Sequence, residues 1–189
     1  MKNKIQSFFW GILAAGAALF LELIVAFFLK IDHLDASITV FIIMIAFSVV
    51  IEEIIKYTVI LKSIDILSFG KGAITNAWIA GIGFSLVEIS FLYQKILTEN
   101  LIFDKMDMFK ASLLHILTFG VFGYQIAIKK DRKLDIVMIT IVAIMHFTYN
   151  ISTQYKDETA YSTGTLVLLI LLLYNIFGVI VVNKKLAHE

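Results

Sequence analysis

The chain has 189 residues, of which 60% are hydrophobic and 16% charged, with a net charge of +1 at neutral pH. A mean hydropathy of +0.90 lies far above that of soluble globular domains, and so small a net charge supplies no field to gather nucleic acid. The absence of cysteine and proline excludes a disulfide framework, a thiol nucleophile and a cysteine-ligated metal, and leaves any helix kink to glycine or to inserted polar groups.

Six stretches reach the roughly 20 mainly apolar residues that cross a bilayer. They run from about Ile5 to Leu29, Ile38 to Leu61, Ala73 to Leu97, Phe109 to Ile128, Leu134 to Thr153 and Ser162 to Val182. The expected fold is therefore all-α, a polytopic helical bundle with about six transmembrane helices. With no fixed-period repeat and no loop long enough for a second unit, residues 1–189 read as a single integral membrane domain. The start, Met1-Lys-Asn-Lys4 followed by small residues from Ala14 to Ala18, has the outline of a signal peptide. Its apolar run continues to Leu29, so the expectation is an uncleaved first helix.

Basic residues are retained on the cytoplasmic side of a membrane, so their distribution sets orientation. Lys2, Lys4, Lys62, Lys71, Lys129, Lys130, Arg132, Lys133, Lys184 and Lys185 fall on one side, against Lys30, Lys95, Lys105, Lys110 and Lys156 on the other. The second set of loops is instead rich in acids, among them Asp32, Asp35, Asp104, Asp107, Asp157 and Glu158. Both termini are expected in the cytoplasm.

Polar residues inside the apolar stretches carry the functional information, because ionisable groups in hydrocarbon are costly unless they face protein or water. In the second stretch, Ile51-Glu52-Glu53-Ile54-Ile55-Lys56 puts three charges in six residues. The lysine lies three and four places after the two acids, on one helical face. It cannot neutralise both carboxylates, which leaves one for proton transfer. The alternative is a helix that ends early. Glu88, in Gly81-Ile-Gly-Phe-Ser-Leu-Val-Glu88, has no basic residue within a turn and needs a partner from another helix. His115 precedes Gly120 and Gly123, and His146 and Asn150 share a face of the fifth stretch. Glu22, near the outer end of the first stretch, reads as snorkelling or structural pairing. Tyr174, Asn175 and Gly178 of the sixth read as packing.

Depth unites these residues. At 1.5 Å per residue from the expected cytoplasmic ends, Glu52 and Glu53 lie about 14 to 15 Å in, His146 about 18 Å, His115 about 20 Å and Glu88 about 24 Å. Carboxylates and imidazoles on four antiparallel helices thus share one layer. The set suits water activation, with a glutamate taking the proton, a histidine or asparagine stabilising the oxyanion and an acid serving the leaving amine. Two histidines and a glutamate could equally hold zinc, although no HExxH motif is present.

The order Glu52-Glu53-Ile54-Ile55-Lys56, then Gly81-Ile-Gly-Phe-Ser-Leu-Val-Glu88, then His115 followed by Gly120-Val-Phe-Gly-Tyr124, then His146-Phe-Thr-Tyr-Asn150 resembles the PrsW family of intramembrane proteases. More distantly it is similar to the CAAX prenyl endopeptidases and the bacterial CPBP (Abi) proteins. The motifs cover residues 52–150. The resemblance implies a membrane-embedded peptidase in the bacterial cell membrane, with Glu52, Glu53, Glu88, His115, His146 and Asn150 as its site and Zn2+ as the cofactor to test, since some members are classed as metallopeptidases. It also implies a single-pass membrane protein or membrane-associated peptide as substrate, such as an anti-sigma factor cut on its extracytoplasmic side. The lipid bilayer is the other expected partner, and nucleic acid is not one. Among the acids, the spacing to Lys56 favours Glu53 as base, with Glu52 or Glu88 as its counterpart. Two rival readings remain: a proton- or ion-coupled transporter, for which six helices offer no visible inverted repeat, and a non-catalytic member of the fold acting as a binding or immunity factor.

Overall fold

A computed structural model describes residues 2–29, 38–64, 71–99, 105–128, 135–154 and 158–186. The basic run Lys129 to Lys133, and with it Lys30, Asp32, Asp35, Asp104, Lys156 and Asp157, lies outside these residues. Six helices are formed: α1 Lys2–Leu29, α2 Ile38–Val59, α3 Lys71–Glu99, α4 Lys105–Ile128, α5 Ile136–Gln154 and α6 Glu158–Leu186. Each is long and apolar enough to cross a membrane, and no strand occurs among the described residues. The protein is an integral membrane helical bundle. An even number of crossings returns the chain to the side on which it began.

Helix α2 does not stop at its charges. It runs past Lys56 to Val59 and widens into a π-helical turn, Ile60–Ile64. The other helices mostly outrun their apolar stretches, because lysine, glutamate and threonine end a hydropathy run without breaking a helix. Helix α6, for instance, opens with Glu158 and closes with Lys184 and Lys185, charges that complement its dipole. Helix α5 starts where Asp135 caps it. The Asp135 carboxylate accepts a hydrogen bond from the Met138 backbone N–H at 3.1 Å, satisfying one of the free donors of the first turn.

Packing closes the helices into a ring in the order α1, α3, α4, α6, α5, α2 and back to α1. Helix α3 makes the closest associations, against α4 and α1. Two glycines on its opposite faces explain why. A Cβ at Gly83 would collide with the Phe8 carbonyl of α1, and one at Gly81 would sit 2.7 Å from Ile116 Cα of α4. Only glycine permits such backbone approach. On α1 the facing stripe is Ala14, Ala15 and Ala18, each at most 2% exposed. Large apolar side chains such as Phe27, Phe28, Phe109 and Val137 point outward, as expected where the solvent is hydrocarbon. Helices α2 and α4 touch only sparsely across the ring, and polar side chains fill the space between them.

Candidate active site

The side chains that meet inside the ring come from α2, α3, α4 and α5. Lys56, Glu53 and His146 are fully buried, His115 and Glu52 nearly so. A charge placed there must be satisfied by neighbours, and the distances show how. Lys56 Nζ lies 2.7 Å from Glu53 Oε1, 3.2 Å from Glu52 Oε2 and 2.8 Å from His115 Nδ1. Of the three N–H donors of the ammonium, Glu53 and His115 take hydrogen bonds, and Glu52 Oε2 adds an ion pair.

That arrangement fixes the imidazoles. Because Lys56 can only donate, His115 Nδ1 must accept, so the neutral ring carries its proton on Nε2. Nε2 is the atom that faces Glu88 Oε2 in close contact. His146 Nδ1 lies 2.6 Å from Glu53 Oε1 and donates there. Glu53 Oε1 therefore accepts from both Lys56 and His146. His146 Nε2 is buried without a hydrogen-bond partner. The two imidazoles stand edge to face with centroids 5.1 Å apart, and Phe84 packs on His115 at 5.1 Å while lying 4.6 Å beneath the Lys56 ammonium. The ring face adds a cation–π attraction to a cation that is already desolvated.

A cavity of about 140 Å³ adjoins the cluster, lined by Ala15, Ala18, Leu19, Glu22, Ser48, Glu52, Phe84, Glu88 and Asn150. Polar walls and this volume make it suitable for water. Of the three glutamates from the motifs, Glu52 and Glu88 reach it, the Glu88 side chain remaining 39% exposed. Glu53 does not line it. The Ser48 hydroxyl donates to Glu52 Oε1 at 3.5 Å, and Glu22 lines the same cavity.

All the sequence-predicted residues are accounted for. Glu52, Glu53, Glu88, His115 and His146 converge. Asn150 shares the cavity, but the group that orients His146 is Glu53. Three features escaped the sequence reading. Lys56 bridges α2 to His115 of α4, whereas local spacing reveals only its pairs within α2. Glu22 faces the cavity from α1, a placement that its own helix cannot indicate. Ser48, one turn before Glu52, was not singled out, although the i, i+4 spacing was visible.

Glu52, His115 and His146 form a buried group whose ligand atoms all lie within 4.8 Å of one another, and it could hold a metal ion. No protein-family model matches the chain, and no curated protein or solved structure shows significant similarity to it.

Proposed function

We propose that this protein is a membrane-embedded endopeptidase of the PrsW type, hydrolysing a peptide bond in a membrane-anchored protein or peptide, for example an anti-sigma factor in a bacterial cell membrane. The observation that carries the reading is that Glu88, fixed by His115, and Glu52, fixed by Lys56, face one small cavity in the interior of a membrane bundle. A structural ion pair needs no cavity, and hydrolysis does.

In this reading Glu88 is the general base. A water in the cavity gives its proton to Glu88 as its oxygen attacks the carbonyl carbon of the scissile peptide. The negative charge that develops on the carbonyl oxygen is met by the Asn150 amide N–H, an uncharged donor on the cavity wall. Collapse of the tetrahedral species breaks the C–N bond. Glu88 hands its proton to the departing amine, giving a new carboxyl end and a new amino end. His115 orients Glu88, and Lys56 holds both His115 and Glu52. Glu53 anchors Lys56 and His146 from behind.

A second reading has the same residues hold a divalent metal such as zinc. Its support is the unpartnered His146 Nε2, which with a His115 nitrogen and a Glu52 oxygen gives a donor set of the catalytic-zinc kind. Such an ion would supply Lewis-acid polarisation of the carbonyl. Against it stands the Lys56 ammonium, already 2.8 Å from His115 Nδ1 and 3.2 Å from Glu52 Oε2. A metal would have to displace those bonds.

The deciding experiment offers single-pass substrates to the full chain reconstituted in lipid nanodiscs, beside Glu88→Gln, His115→Ala, His146→Ala and Glu53→Gln. Cleavage by the wild type that vanishes in Glu88→Gln supports the assignment. Cleavage surviving in all four variants would remove it, and proton flux in liposomes abolished by the same changes would favour a transporter.

A further inference from the structure

A peptidase site inside a membrane needs a route for its substrate, and the residues around Glu22 form one. Beyond the catalytic cavity lies a second, of about 240 Å³, lined chiefly by Glu22 and Val25 of α1 and by Met44, Ile45, Phe47 and Ser48 of α2. Glu22, Ser48 and Asn150 line both cavities. They form a polar neck between an apolar outer chamber and the chamber that holds Glu52 and Glu88.

Resting on the peptidase reading, we infer that the crevice between α1 and α2 is the lateral substrate channel, that its occupant is an extended peptide segment, and that Glu22 is a positioning residue accepting hydrogen bonds from that segment's backbone N–H groups. A helix shields its carbonyl carbons behind its own side chains and hydrogen-bonded turns, in a cylinder about 10–12 Å across, so water beside Glu88 in the inner cavity can attack only a segment that is locally open. A substrate helix must therefore unwind to reach Glu88. Unwinding bares N–H and C=O groups that hydrocarbon cannot satisfy. A carboxylate accepts up to four such bonds, and the Ser48 hydroxyl both donates and accepts. A lipid chain in the same crevice would have no use for a half-buried carboxylate at its inner end.

The chain has no cysteine, so single cysteines can carry a photoreactive benzophenone without background. In nanodiscs, with Glu88→Gln to keep the substrate intact, the probe is placed at Val25 in the outer chamber. Control probes go at Leu13 and Leu166, which are 58% and 55% exposed on the outer surface. A synthetic single-pass peptide is expected to cross-link from Val25 at least about tenfold more than from either control, and the yield should fall about tenfold in Glu22→Leu while surviving in Glu22→Gln, which keeps an acceptor oxygen. With cleavage as readout, Glu22→Leu raises KM about tenfold with kcat held within about twofold, and Glu22→Gln restores KM. Equal cross-linking from Leu166, capture of lipid alone at Val25, or Glu22 variants that lower kcat at unchanged KM would overturn the inference. Cross-linking at Val25 without cleavage by the wild type would instead remove the peptidase reading and leave the channel standing. Cleavage without the Val25 and Glu22 effects would do the reverse.

Discussion

Lys56 Nζ and His115 Nδ1, 59 positions apart in the chain, lie 2.8 Å from each other in the interior of the bundle. The contact makes a lysine of α2 the device that sets the tautomer of a histidine on α4, and through it the orientation of Glu88 on α3. Lys56→Met should therefore act on stability first. Removing one member of a buried ion pair costs about 3–5 kcal/mol, because Glu52 and Glu53 lose their common counter-charge. The expected outcome is a large drop in the thermal midpoint of the detergent-solubilised protein, partly recovered in Lys56→Met/Glu53→Gln. A single variant as stable as wild type would mean that the three contacts carry little energy.

Glu88 and Glu53 should separate in their effects. Glu88 reaches the cavity and Glu53 does not, so Glu88→Gln is expected to lower kcat by about 10²–10⁴, the usual worth of a general base, with little change in unfolding temperature. Glu53 Oε1 accepts from both Lys56 and His146. Glu53→Gln keeps one acceptor oxygen but removes the charge, so it should cost stability and activity together. Parallel kinetics and thermal unfolding decide the matter. If Glu53→Gln were fully stable yet inactive, the base would be Glu53 and the cavity argument would fail.

How far the sequence carried this site depends on the reach of each interaction. Hydropathy runs located all six helices, since membrane spans must be apolar whatever they pack against. Helical rise then put Glu52, Glu88, His115 and His146 at one level, because depth depends only on counting along each helix. Rotation about the helix axis is not in that count. Thus Glu53 could be favoured over Glu52 from its spacing to Lys56, while the packed helices turn Glu52 toward the cavity. Glu22 read as a snorkelling residue for the same reason. Asn175, legible only as a packing residue of α6, accepts from the Trp78 indole N–H of α3 at 2.9 Å, across 97 residues, a partner set by tertiary structure.

Gly83 offers a test of the scaffold away from the chemistry. A Cβ there meets the Phe8 carbonyl of α1, a rigid backbone atom that cannot rotate aside. Gly83→Ala should therefore push α1 from α3, with an overpacking cost of about 1–3 kcal/mol. Since α1 supplies Glu22 and one wall of both cavities, KM for a membrane-spanning substrate should rise as stability falls. Gly16, whose Cβ would meet nothing within 4 Å, is the control: Gly16→Ala should leave both unchanged, read by unfolding and steady-state kinetics on the same preparations.

Metal affinity should be governed by Lys56. Its ammonium holds Glu52 and His115 Nδ1, two of the three groups that with His146 could bind an ion. While it does so, a divalent cation meets a like charge and ligands already engaged. Lys56→Met frees Glu52 Oε2 and His115 Nδ1 beside the unpartnered His146 Nε2. Zinc titration followed by calorimetry is expected to show binding at least about tenfold tighter in Lys56→Met than in wild type, a gain of about 1.4 kcal/mol, and loss of that gain in Lys56→Met/His146→Ala. The stability lost on removing the lysine should return in part as zinc is added, because an ion that binds only the folded state stabilises it by mass action. If wild type instead binds zinc as tightly as Lys56→Met and chelation ends its cleavage, the ammonium is not the cation that the site is built around, and the metal reading replaces the one that assigns water activation to Glu88 alone.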